Sequence, residues 1–447
     1  MFKFGKANLI KQYNALREKS NHARFCNAPT TSLRFHRNGG IQFCCRHIDF
    51  QYLSEKSIKE IWFGNEMDKI RKSFNDYQIP QSCNFCAMPF YAKDFSIVNA
   101  LSFDYIQPNK NGYPVMMDFS LENTCNLACI MCDASLSSKI QQQKRTKPKA
   151  KSYCYDENFV EQIVEFIPHL KYSVFTGGEP FLINIYFQIW QKIIELNPET
   201  IINVVTNGTV LNQRVLDFVD NANVNVTVSI DSFNPDTYGK IRIGAKLDDT
   251  LRNVDKFAEI CCSKNTRFTI TVCPMIINAF EIPEIVNKCN EQNWGFSYNT
   301  VIKPWNQALW SLEIFKIREI IEYYKSFDIY EKDELSINNK ANFYTLISLL
   351  ENWLNRVSIL NSKCQSSKEL IKMRNKLNKL LQQKLSKSTI DYSQKIKMLI
   401  DGIPDLLIRK QLISYVDKLS ASMITNEFLD NDEDTIIDHF CIVAFNL

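Results

Sequence analysis

Between residues 115 and 302 six short β-rich runs alternate with helical patterns, and this alternation limits the possible fold more than any other feature of the chain. The runs are VMMDFSL, YSVFTG, IINVVTNG, VNVTVSID, RFTITVCP and WGFSYNTVI. Between them lie stretches such as DENFVEQIVEFIPHL, IYFQIWQKIIEL, TLRNVDKFAEICC and EIPEIVNKCNEQN, whose apolar residues recur at helical spacing. Strand, helix, strand, helix predicts a parallel sheet with crossover helices. Several runs are β-branched throughout, as in strands buried on both faces. A closed barrel of eight such units needs about 250 residues. Six units therefore predict an α/β fold built on a partial (β/α)6 barrel.

The 447 residues exceed what one core organises; roughly 100–200 residues per domain predicts two to four domains. Residues 1–105 form a Cys-rich N-terminal segment, and IQPNKNGYP (106–114) reads as a polar linker. The alternating pattern occupies 112–305, and 306–447 reads as a mostly helical region with no recognisable role. Within it KELIKMRNKLNKLLQQKL (368–385) has the pattern of a basic amphipathic helix. A solvated surface or bundle helix is its ordinary reading, and a partner-binding or nucleic-acid-binding helix the alternative. The 53 basic and 49 acidic residues leave a net charge of +4, which does not predict a nucleic-acid partner. No run of 18 apolar residues predicts a membrane span. The first residues, MFKFGKANLIKQYNALREKS, lack the pattern of a signal peptide. A cytoplasmic protein is expected, and in a reducing compartment its 15 cysteines suggest metal or redox chemistry rather than disulfides.

Three of those cysteines, Cys125, Cys129 and Cys132, fall in LENTCNLACIMCDAS with the spacing C-x3-C-x2-C. They can be read as structural thiols, as three of four zinc ligands with Asp133 or a distant residue completing the set, or as ligands of a [4Fe–4S] cluster. Three thiolates on a four-iron cube leave one iron without a protein ligand, open to a substrate or cofactor.

This loop, placed after the first strand of a βα array, resembles the radical SAM superfamily. Further motifs follow in the family's order. FTGGEP puts Gly177, Gly178 and Glu179 after the second strand, VVTNGT (204–209) follows the third, and VSIDS (228–232) the fourth. YGKIRIGAKLDDTLRNV (238–254) looks like the stretch that follows in peptide- and protein-modifying members. The resemblance covers about 115–302 and implies a radical SAM partial barrel. It implies that the open iron chelates the amino and carboxylate groups of S-adenosylmethionine (SAM). Gly177, Gly178 and Glu179 would contact the amino group. Ser229 would reach the ribose or carboxylate, Arg242 the carboxylate, and Met131 would flank the adenine. Each has an ordinary alternative. The glycines end a strand in a turn, and Arg242 is an exposed helix charge. Asn207 is either a cofactor contact or the left-handed residue of a turn. Asp231 is either a ribose or active-site contact or a strand-end cap. The chemistry implied is reductive cleavage of SAM to a 5′-deoxyadenosyl radical, which abstracts hydrogen from a substrate. No catalytic residue beyond the cofactor contacts is assigned.

A second group of thiols, Cys26, Cys44 or Cys45, Cys83 and Cys86, precedes the barrel. Gly39 and Gly40 read as a hairpin turn between its first members, and SIKEIWFGNEMDKIRKSF as an amphipathic helix broken near Gly64. Spacing alone does not separate a zinc ribbon from an iron–sulfur site. The order FCNAP, GGIQFCC, SIKEIW, CNFC resembles the SPASM/twitch module and implies one auxiliary [4Fe–4S] cluster. In most relatives that module follows the barrel, whereas here it precedes it. AMPFYAKDF (87–95) lacks the further cysteines of the full pattern. The choice between Cys44 and Cys45 stays open. The remaining cysteines are scattered and most are expected to be small buried residues.

SPASM/twitch relatives often modify peptides or proteins. The resemblance therefore implies a ribosomally made peptide or protein as substrate, and an electron donor such as a flavodoxin or ferredoxin. The alternatives are a small-molecule radical SAM enzyme and a non-catalytic iron–sulfur sensor. Oligomeric state is left open.

Overall fold

The computed structural model describes residues 2–93, 95, 98–144, 153–301, 304, 307–312, 314–361 and 379. Each of the six predicted runs forms a strand, and three further strands precede them. The strands are β1 (Ser32–His36), β2 (Gly40–Gln42), β3 (Gln51–Tyr52), β4 (Met116–Ser120), β5 (Tyr172–Phe175), β6 (Ile201–Thr206), β7 (Val224–Ser229), β8 (Phe268–Val272) and β9 (Gly295–Tyr298). By compactness the chain divides into two units. One holds the residues up to Ile230 together with Tyr238–Ile270, and the other holds Asp231–Thr237 together with the described residues from Thr271 onward. The boundaries expected near 105–112 and 305 follow changes in sequence pattern; the packing boundary falls within β8.

In the first unit the strands lie in the order β3-β2-β1-β4-β5-β6-β7-β8. β4 to β7 are parallel, with Val174 opposite Asn203 and Val204 opposite Val226. The N-terminal segment joins this sheet. β1 pairs in parallel with β4 from Ser32 opposite Met116 to His36 opposite Ser120, and antiparallel with β2 through the expected hairpin. Residues near Gly64 break the expected helix into Ile58–Trp62 and Asn65–Asn75. A Cβ at Gly64 would lie 2.3 Å from Glu60 O.

The strands are not buried on both faces as their β-branched runs suggested. Successive side chains alternate between faces, and burial alternates with them. One face is a dry aromatic row. Phe35, Phe119 and Phe175 are fully buried. Phe35 stacks on Phe119 at 5.2 Å and Phe119 on Phe175 at 4.7 Å. Trp190 of helix Asn184–Leu196 covers Phe175 at 5.3 Å and stacks on Phe218 of helix Gln213–Asn221 at 4.0 Å. The other face is half-buried and partly polar, with Asp118, Asn203 and Asn225 at matching positions. There Arg34 of β1 pairs with Asp118 of β4 at 2.5 Å. The polar β-branched runs reflect this half-open face, not a doubly buried sheet.

In the second unit Asn299 N donates to Val272 O, pairing the end of β8 with the residue after β9. Helix Glu334–Asn361 is fastened to this edge by buried Asn339. Its Oδ1 accepts from Phe296 N at 2.6 Å, and its Nδ2 donates to Trp294 O at 2.9 Å. Among the described residues no helix is long and apolar enough to cross a membrane. The basic pattern at 368–385 lies outside the described residues but for Lys379.

Phe119 sits at the centre of the aromatic row, flanked on both sides. Phe119→Ala should destabilise the protein by about 3–5 kcal/mol, the range for removing a fully buried phenylalanine. Denaturant unfolding checks this, and a loss below about 1 kcal/mol would contradict the central place given to the row.

Candidate SAM and iron–sulfur sites

The cysteine loop begins where β4 ends and is held by its backbone from three sides. Tyr186, fully buried, accepts from Leu121 N through its hydroxyl at 3.0 Å and donates to Thr176 O. Ser138 Oγ accepts from Cys125 N at 3.0 Å, and Ser137 Oγ donates to Leu127 O at 2.6 Å. On the far side Ala128 N and Ile130 N donate to the carbonyls of Ile243 and Ile241 at 2.9 and 3.0 Å.

The turn after β5 closes the third side. Gly178 N donates to Glu122 O at 3.0 Å and Glu179 N to Thr124 O at 2.8 Å. This contact explains the paired glycines. Gly177 has φ +112°, and a Cβ there would lie 2.7 Å from Glu122 O. At Gly178 it would lie 2.2 Å from Thr124 O. The close approach anticipated for these glycines is made to the cysteine loop's own backbone.

Glu179 is fully buried. Its carboxylate accepts from Thr206 Oγ1 at 2.7 Å, from Asn207 N at 2.7 Å and from Phe181 N at 3.2 Å. The carboxylate thus ties the end of β5 to the end of β6. Burial pushes it up to about 7, against these hydrogen bonds and the nearby Arg242 charge.

Two nitrogen donors stand beside the thiols. Asn207 Nδ2 bonds Asn126 Oδ1 at 2.9 Å and lies 4.0 Å from Cys125 Sγ. Asn207 is not the left-handed residue of its turn; Gly208 takes that role at φ +75°. Arg242 is buried, not an exposed helix charge, and its Nη1 lies 3.9 Å from Cys129 Sγ. Asn126 and Thr209, which complete the polar chain around Asn207, carried no motif signal beyond their place beside Cys125 and in VVTNGT. Met131 is half-buried in the loop, and Ser229 is half-buried at the end of β7. Asp231 belongs to the second unit, where its Oδ1 accepts from Cys273 N at 2.7 Å, the bond of a strand-end cap.

Two of the three thiols are shifted upward by their surroundings. Cys132 is raised because its thiol donates to Cys129, and burial adds to the effect. Burial likewise raises Cys125. Such thiols give up protons when a metal centre binds, and the Asn and Arg nitrogens beside them favour the thiolate forms.

The N-terminal thiols line one small cavity, whose walls include Phe25, Phe43, Cys26, Cys44, Cys83 and Cys86. Cys44 is buried in that wall, whereas Cys45 is exposed and is not part of it. Hydrogen bonding to Cys44 holds Cys45 down at about 6 and Cys44 well up. Burial raises Cys26 and Cys83, and pushes Cys86 up to about 11. Among the described residues no three Cys, His, Asp or Glu side chains converge as they would on a single ion. A zinc ion draws its ligands within about 2.0–2.3 Å of one point, whereas thiolates of a four-iron cluster bind separate irons. Thiols spread over a cavity wall fit the cluster. Of the scattered cysteines, Cys261 and Cys289 are buried, but Cys154 and Cys262 are exposed. Cys262 follows buried Cys261 on helix Leu247–Ser263 and so turns to another side of it.

Glu179 generates a pH prediction for the cofactor-free protein. Its folded value is raised above the ordinary glutamate value, so the folded state holds the proton more tightly. Stability from this group is greatest below pH about 4.3 and falls as pH rises to about 7, by a total of about 3 kcal/mol. Unfolding of wild type and Glu179→Gln should therefore converge in relative stability at low pH. The variant should gain on wild type between pH 5 and 7.5. Parallel stability curves would contradict this.

Comparison with known proteins agrees with the two sites. A family model described as Radical SAM superfamily matches residues 120–287, and one described as an iron–sulfur cluster-binding domain, SPASM, matches residues 26–87. A probable GTP 3′,8-cyclase of Methanococcus maripaludis is 26% identical over 175 residues, covering 38% of this chain and 54% of the relative. Molybdenum cofactor biosynthesis protein 1 of Dictyostelium discoideum is 23% identical over 288 residues, covering 63% of this chain and 44% of the relative. The chain thus spans about half the length of these curated relatives. Among solved structures, native anSMEcpe with bound AdoMet is 18% identical over 50% of this chain and 62% of its own, with a TM-score of 0.38. The motifs, the two thiol sites and the matched domains agree: the chain carries a radical SAM domain, which implies SAM and a [4Fe–4S] cluster as cofactors, and ahead of it a SPASM domain, which implies an auxiliary iron–sulfur cluster.

Proposed function

We propose that this chain is a peptide- or protein-modifying radical SAM enzyme. Cys125, Cys129 and Cys132 hold the cluster that binds SAM, and Cys26, Cys44, Cys83 and Cys86 hold the auxiliary cluster. In functional terms residues 1–105 serve as the auxiliary module and 112–305 as the radical SAM domain. The segment 306–447 has no assigned role. When bound, the cluster and SAM supply one-electron cleavage of the sulfonium and abstraction of a hydrogen atom from an unactivated C–H bond. The protein's part is to position and to shield. Gly178 and Glu179 fix the cysteine loop through its carbonyls. Asn207 and Arg242 stabilise thiolate charge on Cys125 and Cys129. Met131 would flank the adenine of SAM, and Ser229 would reach its ribose or carboxylate.

The observation that carries the peptide reading is the union of the two thiol sites in one compact unit, where β1 of the auxiliary module is hydrogen-bonded to β4, the strand that leads into the SAM loop. An auxiliary cluster beside the radical site suits reactions that must also remove an electron from the substrate, as crosslinking and oxidation of peptides do. The partners are then a peptide or protein substrate and a low-potential electron donor such as a flavodoxin or ferredoxin. A second reading, a small-molecule enzyme acting on a nucleotide, draws on the names of several curated relatives, which are GTP 3′,8-cyclases.

The two readings separate in one assay. Reduced, reconstituted protein is given SAM together with either GTP or a panel of short precursor peptides, and 5′-deoxyadenosine is quantified. Peptides should raise its formation several-fold and change in mass, while GTP leaves it at the substrate-free level. Stimulation by GTP alone would replace the peptide reading with the nucleotide one.

A further inference from the structure

The thiols of the N-terminal cavity receive hydrogen bonds from several nitrogens. Ala28 N lies 3.4 Å from Cys26 Sγ, and Arg46 N lies 3.4 Å from Cys44 Sγ. The backbone N–H groups of Asn99 and Ala100 donate to the Cys86 thiol. All of these are main-chain donors. Asn99 adds a different one: its side-chain Nδ2 donates to Cys44 Sγ at 3.5 Å. Among the described residues it is the one side-chain nitrogen bonded to a thiol of this cavity. Asn99 lies beyond the matched SPASM domain, which ends at residue 87, yet it lines the cavity beside Ala100. Its position bridges two proposed ligands, with its backbone on Cys86 and its amide on Cys44.

Reducing an iron–sulfur cluster adds negative charge that spreads onto the ligand sulfurs. An N–H donor to a ligand sulfur stabilises that added charge, so hydrogen bonds to the sulfurs help to set the potential. Most such donors belong to the backbone, where only proline removes the N–H and at the cost of the local fold. The Asn99 amide is separable from the fold. We infer that Asn99 is a positioning residue that tunes the auxiliary cluster, its amide N–H raising the reduction potential through the Cys44 sulfur. The inference rests on the ligand assignment proposed above.

The test isolates the auxiliary cluster. In a Cys125/Cys129/Cys132→Ala background, iron per chain is counted and the midpoint potential is measured by EPR-monitored redox titration. Asn99→Leu, close in size but without a donor, should retain the iron and shift the midpoint to a more negative potential. Asn99→Gln, which keeps an amide, should recover part of the shift. An unchanged midpoint in the leucine variant overturns the inference, as do equal shifts in both variants. Should leucine strip the cluster, Asn99→Ser is titrated in its place. Loss of iron there too makes Asn99 a structural residue and overturns the tuning role. A background protein that binds no iron at all refutes the ligand assignment itself, and the inference with it.

Discussion

Everything at the SAM site depends on the backbone contact between the turn after β5 and the loop after β4. Gly178 and Glu179 each donate an N–H to a carbonyl of the segment Glu122–Thr124. Three thiols in one loop serve as cluster ligands only if that loop keeps one shape. The fold supplies the rigidity through hydrogen bonds from three directions: the turn after β5, the hydroxyls of Tyr186, Ser137 and Ser138, and the carbonyls of Ile241 and Ile243. Two consecutive glycines are the condition for the contact, because any side chain at either position would overlap a carbonyl oxygen. The adjoining glutamate then turns inward to bind Thr206 and Asn207, so the ends of β4, β5 and β6 form one hydrogen-bonded assembly.

The same logic holds in the N-terminal module. Its cavity is walled by Phe25 and Phe43 as well as by thiols, so the sulfurs sit in apolar surroundings that resist their ionisation until a metal centre compensates the charge. Main-chain N–H groups aimed at the sulfurs are the compensation the protein provides in advance. The module is not an appendage: β1 extends the barrel's sheet, and Phe35 joins the same aromatic row as Phe119 and Phe175. Order in the auxiliary module and order in the barrel are therefore one packing problem.

Much of this was legible in the residues. The six strands announced themselves as short β-rich runs alternating with helical patterns, and the thiol spacing with its following GGE segment pointed to the matched radical SAM domain. Less was legible where partners are distant. The parallel pairing of β1 with β4 joins residues more than eighty positions apart through a five-residue strand, and no local pattern reports such a partner. Alternation within the strands was masked, because Val and Thr suit a half-buried face as well as a buried one. The glycines of the GGE turn read as ligand contacts, whereas packing against a neighbouring loop was invisible without coordinates. Cys44 and Cys45 are the same residue type side by side, and only the fold buries the first and exposes the second.

The central claim is that the chain holds two iron–sulfur clusters on two separate thiol sets. Iron and acid-labile sulfide are counted after anaerobic reconstitution of wild type, of a Cys125/Cys129/Cys132→Ala variant and of a Cys26/Cys44/Cys83/Cys86→Ala variant, with Mössbauer spectra of each. The account predicts about eight irons in wild type and about four in each variant, all as [4Fe–4S] clusters. About four irons in wild type, unaffected by loss of the N-terminal cysteines, would contradict it.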